Sequence, residues 1–369
     1  MRRTLFTYSF AVGLWVLMFL CGACSNSVVS DDDTSYVEGE HLVKIIPVLK
    51  QYSSRAGLGD VMSDFYVTGV AGRFVRGKNI HYCYSNNDWI ADGSIVWPTN
   101  DGTINFYAIS QPFLDGDGIS NSKLNATDQY FTFKCDPDNP RDLLYSSALN
   151  TTRSMMDGQV QLNFVYALAY PYFACVQAID DVTVNIKEIV VHNLESMGTF
   201  TFDKTIASYG SWTEIDTAYA NYTQVLETPV TLNPDQTTAV TISEKWKWIP
   251  QRPKKWTTTE DNPVPIATAD ENHECYVELK CQIIKDGSYL WGAASGENEY
   301  ESVYYPFGNN FNQQAYQRGI KLKFTGGYLS DGTPFKPHSG SGQFTIAEWI
   351  TIDALVDPWE EMDPEDLIF

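Results

Sequence analysis

Apolar and polar residues alternate along much of this chain. The run Thr103-Ile104-Asn105-Phe106-Tyr107-Ala108-Ile109 does so, as do Val160-Gln161-Leu162-Asn163-Phe164 and Val182-Thr183-Val184-Asn185-Ile186-Lys187-Glu188-Ile189. Tyr276-Val277-Glu278-Leu279-Lys280 and Ile320-Lys321-Leu322-Lys323-Phe324 repeat the pattern. In residues 344–356, Phe344, Ile346, Ile350, Ile352 and Val356 would share one face. A period of two puts successive side chains on opposite faces of a strand, so each run predicts a strand with one wet face. The runs are short and are bounded by Gly, Asn, Asp and Pro, and no stretch sustains a 3.6-residue apolar period. Residues 141–149 are the exception and predict a helical turn. The expected class is all-β, and strands of this number and spacing predict two β-sandwiches.

The N-terminus is organised differently. Met1-Arg2-Arg3 precedes an apolar run over residues 5–20, broken by Thr7, Tyr8, Ser9 and Gly13. That is the layout of a secretory signal peptide, and the run is short of the roughly 20 residues a membrane-spanning helix needs. It ends at Cys21-Gly22-Ala23-Cys24, which resembles a bacterial lipobox with Cys24 as the acylated residue; Cys21 stands where leucine is usual. An acyl chain contributes about 0.8 kcal/mol per buried CH₂, so a multiply acylated cysteine anchors a protein without a spanning helix. The alternative is an ordinary secreted protein cut near Ala23. Residues 24–40 then form a small, polar, acidic tether containing Ser30-Asp31-Asp32-Asp33. Its composition predicts disorder, and it resembles the acidic signal that sends lipoproteins of Bacteroides-type bacteria to the cell surface. A turn-rich stretch near residues 198–209 suggests the division: signal peptide 1–23, tether 24–40, N-terminal sandwich 41–203, and C-terminal sandwich with an acidic tail 204–369. The 369 residues are enough for two such domains.

Charge narrows the partners. With 25 Lys and Arg against 46 Asp and Glu, the formal net charge is −21. Such a surface repels nucleic acid and anionic membrane, so no nucleic-acid partner is expected. Once Cys21 leaves with the signal and Cys24 is acylated, Cys83, Cys135, Cys175, Cys275 and Cys281 remain. They form no C-x-x-C pair and no disulfide framework, and most are expected as buried small apolar residues.

No catalytic constellation stands out. Asp115-Gly116-Asp117-Gly118 begins like a Ca²⁺ loop, but Ile119 and Ser120 occupy positions that need an oxygen ligand and a glycine. His41, His81, His192, His273 and His338 fall in no ligand spacing, and Gly340-Ser341-Gly342 is no nucleophile elbow. The expectation is no enzyme, no metal and no cofactor. Residues 245–256 are the one basic-aromatic cluster, with Lys245, Trp246, Lys247, Trp248, Arg252, Lys254, Lys255 and Trp256. Trp246 and Trp248 lie two apart and would share a strand face, so Trp246, Trp248 and Trp256 are candidates for a surface that stacks sugar rings or docks an acidic neighbour. The plain alternative is a twisted strand with an exposed loop.

With the strands placed, a family resemblance appears. Trp97-Pro98 followed by Ile104-Asn105-Phe106-Tyr107-Ala108 resembles the "W-P … F-Y-A" segment of fimbrillins, the subunits of type V pili. Asp142-Leu143-Leu144-Tyr145, then Val160-Gln161-Leu162-Asn163-Phe164, then Ala167-Leu168 resembles their "D-L-L-Y … V-x-L-x-F-x-H-A-L" block, with Tyr166 in place of His. Gly198-Thr199-Phe200 resembles their "G-T-F", Ile249-Pro250-Gln251 their "I-P-Q", and Gly326-Gly327 with Val356-Asp357-Pro358-Trp359 their ending. The resemblance implies two transthyretin-like sandwiches and export as a lipoprotein to the outer membrane. It also implies that a trypsin-like protease cuts after a basic residue. The N-terminal strand then leaves, and a strand from another subunit fills the groove.

Residues 42–49 fit that displaced strand. Leu42, Val43, Ile45, Ile46 and Val48 are apolar, and Pro47 lacks an N–H, which places the strand at a sheet edge. An edge strand leaves without cutting its sheet in two and exposes a template for strand addition. Ser53-Ser54-Arg55-Ala56 follows, with Arg55 the first candidate for processing and Lys50 the second. For the incoming strand, residues 344–356 and the tail ending Leu367-Ile368-Phe369 both stand open. The expected function is a surface pilus subunit polymerised by donor-strand exchange and serving adhesion. Its partners are other pilus subunits, the outer membrane through lipid, and a host or bacterial surface receptor. The alternatives are a monomeric glycan-binding surface lipoprotein and an anchor or accessory subunit that keeps its lipid.

Overall fold

In a computed structural model of the chain, the described residues are 41–49, 62–110, 129–177, 179, 181–215, 218–234, 238–308, 317–324, 326–335 and 353–355. Their regular structure is almost all strand, with two short helices, so the protein is all-β.

The first body is built on a seven-stranded sheet in the order β1-β8-β7-β5-β2-β3-β4. Its strands are β1 (Lys44–Leu49), β2 (Asp64–Ala71), β3 (Phe74–Ser85), β4 (Asp88–Ala91), β5 (Ile104–Ser110), β7 (Leu144–Thr151) and β8 (Gln159–Tyr166). Turn chemistry sets its hairpins. Gly72 (φ 59°) leads the two-residue turn joining β2 to β3, and Asn86-Asn87 (φ 53° and 64°) joins β3 to β4. These are the primed turns whose twist matches that of the strands.

Both faces of this sheet are buried. Phe65, Val67, Phe106, Ala108, Leu144, Val160, Leu162 and Phe164 point to one core. Tyr107, Ile109 and Tyr145 point to the other. Against that second core lies a three-stranded sheet of β12 (Gly210–Ile215), β11 (Met197–Phe202) and β6 (Tyr130–Lys134). Phe200 sits 4.5 Å from Tyr145, and Phe202 5.3 Å from Tyr107, centroid to centroid. Among the described residues no second sheet lies over the first core. It is closed by the sheet's own curl, with Ile95 and Trp97 laid across it just after β4.

Two sheets sandwich a third core. One contains β13 (Tyr219–Leu232), β10 (Thr183–Glu195), β15 (Tyr276–Lys285), β17 (Glu301–Pro306), β19 (Gly327–Tyr328) and β20 (Pro334–Phe335), with β16 (Ser288–Trp291) paired to β15. The other contains β14 (Val240–Thr241), β9 (Tyr170–Gln177), β18 (Gln317–Phe324) and β21 (Asp353–Leu355). Short helices α1 (Arg153–Met156) and α2 (Ile266–Glu271) complete the described residues.

The alternating runs expected over 160–164, 276–280 and 320–324 fall within strands, and those over 103–109 and 182–189 do so from their second residue. Two readings change. Residues 141–149 do not form a helical turn: β7 runs through them, because Leu144 and Tyr145 feed opposite cores and a strand serves two faces. The helical turn comes just after, at α1, where Thr152 Oγ1 accepts from the Met155 N–H. The second change concerns the division at residues 203 and 204. β9 and β10 precede it yet pair with β14, β18, β13 and β15, while β12 follows it and pairs with β11. The two sandwiches follow one another along the chain with strands exchanged at the join, and the described residues from 41 onward form one compact unit.

The extended segment 242–258 fastens the cores together. Ile242 and Trp248 enter the third core, Ile249 the second, and Trp256 a small cluster with Ala269, Tyr276 and Tyr328. Its backbone exchanges hydrogen bonds between Trp248 and Ala169 at 2.9 and 3.1 Å. Replacing Trp248 with Ala removes a fully buried indole and should cost about 3–5 kcal/mol, read as a shift in denaturant midpoint. Gly210 is a second sensitive point: a Cβ there would lie 2.7 Å from the Thr201 carbonyl and overlap the Phe200 ring. Gly210→Ala should destabilise by about 1–3 kcal/mol in the same measurement, because the ring has no free space to move into.

Candidate functional site

β1 is the end strand of the seven-stranded sheet, as Pro47 requires. It pairs in parallel with β8, Lys44 opposite Gln159 through Leu49 opposite Phe164. The Lys44 N–H reaches the Gly158 carbonyl at 3.0 Å on that side. The Val43 N–H points the other way, to the Ile95 carbonyl at 2.9 Å. Direction alternates along a strand, so the nitrogen of Pro47, four residues on from Val43, also faces away from β8. The proline therefore costs the ladder nothing.

The residues leading into β1 are bonded to the 95–97 segment. Besides the Val43–Ile95 bond, the Trp97 N–H donates to the His41 carbonyl at 2.8 Å, and Leu42 forms an isolated antiparallel bridge with Val96. These bonds join the two ends of the curled sheet. Arg153 adds a side-chain tie, its Nη1 2.9 Å from His41 Nδ1. Arginine only donates, so Nδ1 is the acceptor and carries no proton. Helix α1 is itself fixed: the Ser154 N–H donates to Asp101 Oδ1 at 3.1 Å, and the Ser154 hydroxyl donates to Asp101 Oδ2. Those Ser154 bonds hold the Asp101 carboxyl below its ordinary range.

Burial along β1 follows its pleat. Val43 and Ile45 are buried in the first core, Ile46 and Val48 are half-buried, and Leu42 is 50% exposed despite its bridge. Removing this strand would uncover Val160, Leu162 and Phe164 of β8 and the inner faces of Ile95 and Trp97, all at most 1% exposed.

The aromatic surface expected from residues 245–256 is absent. Trp248 and Trp256 are each 1% exposed and Trp246 is half-buried against the third core. The lysines between them point outward: Lys245 and Lys254 are exposed, and Lys247 pairs with Asp142 at 2.7 Å. Alternation put the tryptophans on one face, and that face is the core. Of the other sites, Cys24, Lys50 and Arg55 lie outside the described residues, as do Asp115–Asp117 and most of 344–356. Among the described residues no group of three or more His, Cys, Asp or Glu is gathered to hold a metal. Cys135, Cys175, Cys275 and Cys281 are buried and Cys83 is exposed. Burial pushes the Cys135 and Cys175 thiols up to about 12, which makes them inert.

The ties among His41, Val43, Ile95, Trp97 and Arg153 form a clasp at the start of β1 that no sequence spacing signals: His41 and Arg153 are 112 residues apart.

A fimbrial protein of Bacteroides vulgatus is similar in structure, with 12% identity, a TM-score of 0.47, and coverage of 85% of this chain and 98% of that one. Fimbrilin FimA of Porphyromonas gingivalis is similar at 12% identity and TM-score 0.41, covering 81% of this chain and 94% of its own. The fimbrial anchor protein Mfa2 of the same organism is similar at 9% identity and TM-score 0.32, covering 85% and 98%. No curated protein matches the chain. The fimbrillin-like family model matches residues 56–302, more than half of the sequence, and the protein belongs to that family of structural, non-enzymatic fimbrial proteins.

Proposed function

We propose that this protein is a cell-surface fimbrial subunit made as a lipoprotein precursor on Cys24, and that it polymerises by donor-strand exchange. In this reading a protease cuts after Arg55 or Lys50, β1 leaves with Leu42, Val43, Ile45, Ile46 and Val48, and an extended strand of another subunit takes its place. The partners are then other subunits of the same fimbria, the outer membrane through the lipid before processing, and a host or bacterial surface receptor.

The observation that carries the reading is the seat of β1. It is an apolar strand at the end of a sheet, seated against the first core beside Ile95 and Trp97, and it is followed within a dozen residues by the basic candidates. Its removal leaves the β8 ladder intact on the β7 side and opens backbone groups on the other, which is a template for strand addition. The glycan-binding alternative has lost its aromatic platform to the core. The anchor alternative differs from the main one only in keeping the lipid.

A disulfide across the clasp tests the exchange step. Leu42 and Val96 are the pair without direct hydrogen bonds in their short ladder, where Cα atoms approach to about 4.5 Å, within disulfide reach. In an ectodomain carrying Cys83→Ser to remove the exposed thiol, Leu42→Cys with Val96→Cys should bond β1 in place. After limited trypsin, size-exclusion should show monomer in oxidised buffer and a ladder of oligomers once the bond is reduced. Ladders that form equally in both buffers, or in neither, would rule out displacement of β1. Separately, Cys24→Ser in the full chain should move the protein from the membrane to the soluble fraction and abolish incorporation of labelled palmitate. Retention of both would remove the lipoprotein step.

A further inference from the structure

We propose that β1 is held unevenly and opens from its C-terminal end, with the clasp of His41, Val43, Ile95, Trp97 and Arg153 as its last contact to break. The proposal deepens the reading that β1 is the displaced strand and rests on it for its biological meaning. The physical asymmetry stands on the bonds alone.

At its start β1 is bonded to separate parts of the chain. The His41 carbonyl and the Val43 N–H bond the 95–97 segment, the Lys44 N–H bonds Gly158, and the His41 ring accepts from Arg153. The Arg153 bond comes from a charged donor, a stronger class than a neutral pair. Its helix is pinned by Thr152 and by the Asp101–Ser154 bonds, so the guanidinium is presented from a fixed support. Val43, just before β1, and Ile45, its second residue, are buried in the first core.

From Ile46 onward the described residues offer β1 one partner, β8. Pro47 brings no N–H to any neighbour on the open side. Ile46 and Val48 are only half-buried. A strand held at several points at one end and on one side at the other frays from the weak end. The candidate processing residues, Lys50 and Arg55, follow that weak end directly. A cut there releases the end that is already loose, while the clasp keeps the cut strand seated and the core covered. The clasp thus acts as a latch that separates the cut from the exchange.

Residue-resolved hydrogen exchange on the uncut ectodomain reads this without any protease. The β1 amides that face β8 form an ordered series, Lys44, Ile46 and Val48. Protection should fall along it, with Val48 exchanging at least roughly tenfold faster than Lys44. Arg153→Met should speed exchange at Val43 and Lys44 by roughly tenfold, the low end for a lost hydrogen bond from a charged donor, and change Val48 less. His41→Ala should act in the same direction, and unchanged amides in β15 verify that either variant has folded. Even protection along β1, or no response at Lys44 in either variant, would overturn the proposal. Because the chain is uncut, the result holds apart from processing: a clear gradient with no polymerisation after trypsin would leave the latch standing and defeat donor-strand exchange.

Discussion

A sheet that curls around its own core has to satisfy the backbone at its two edges. In this protein that constraint falls on residues 41–43 and 95–97, where the ends of the seven-stranded sheet meet. Without the bonds from Val43 to Ile95 and from Trp97 to His41, the first core would be a trough lined by Phe65, Phe106, Leu162 and Phe164. An apolar trough beside unpaired N–H and C=O groups is unstable alone and receptive to another strand. One edge strand therefore decides whether that core is sealed.

The rest of the fold makes that strand separable. β7 and β8 are held from below by the three-stranded sheet through Tyr145, Phe200 and Phe202. Ser208 reaches over the sheet to the Asn163 carbonyl of β8 at 2.9 Å and to the Ser147 N–H of β7 at 3.3 Å, a tie that does not involve β1. The exchange of strands at the join, with β9 and β10 in the second sandwich and β11 and β12 in the first, locks the two bodies by chain path as well as by packing. The segment through Trp248, Ile249 and Trp256 adds a fastening across three cores. Loss of β1 would cost apolar contacts at one seam and leave these supports in place.

How legible this was in the sequence depends on how local the cause is. Period-two runs mark strands because the pleat is a property of the chain itself, and Pro47 marks an edge because a missing N–H has one interpretation in a sheet. Trp246 and Trp248 show where that logic stops. Alternation states that they share a face but not that the face is wet, and the answer lay in the residues between them. Lys245 and Lys247 cannot both be buried, so the tryptophans point inward. The same limit hid β7, whose two buried faces erase the alternation in residues 141–149. The clasp was out of reach for a different reason. His41 meets Arg153 only because β1 runs parallel to β8 and α1 immediately precedes β8, a matter of topology that no spacing records.

The other long edge makes the contrast that gives β1 its meaning. β13 is fourteen residues long and, among the described residues, pairs on one side only, with β10, so that edge is longer than the one β1 would leave. Yet it is built to refuse a partner. Between Val225 and Val230 its register breaks against β10, and Lys187 fills the gap by donating to the Leu226 and Glu227 carbonyls at 2.6 and 3.2 Å. Pro229 sits in the same break and Glu227 beside it. A bulge, a proline and a charge are the standard means of blunting an edge. β1 is also guarded by a proline, but its ladder to β8 runs without a register shift. A straight ladder covered by one end strand keeps its full pairing capacity should that strand leave, whereas a bulged edge does not. If β1 is the strand that leaves, as proposed, the distortion at β13 and the straight ladder of β8 direct strand addition to the β8 groove.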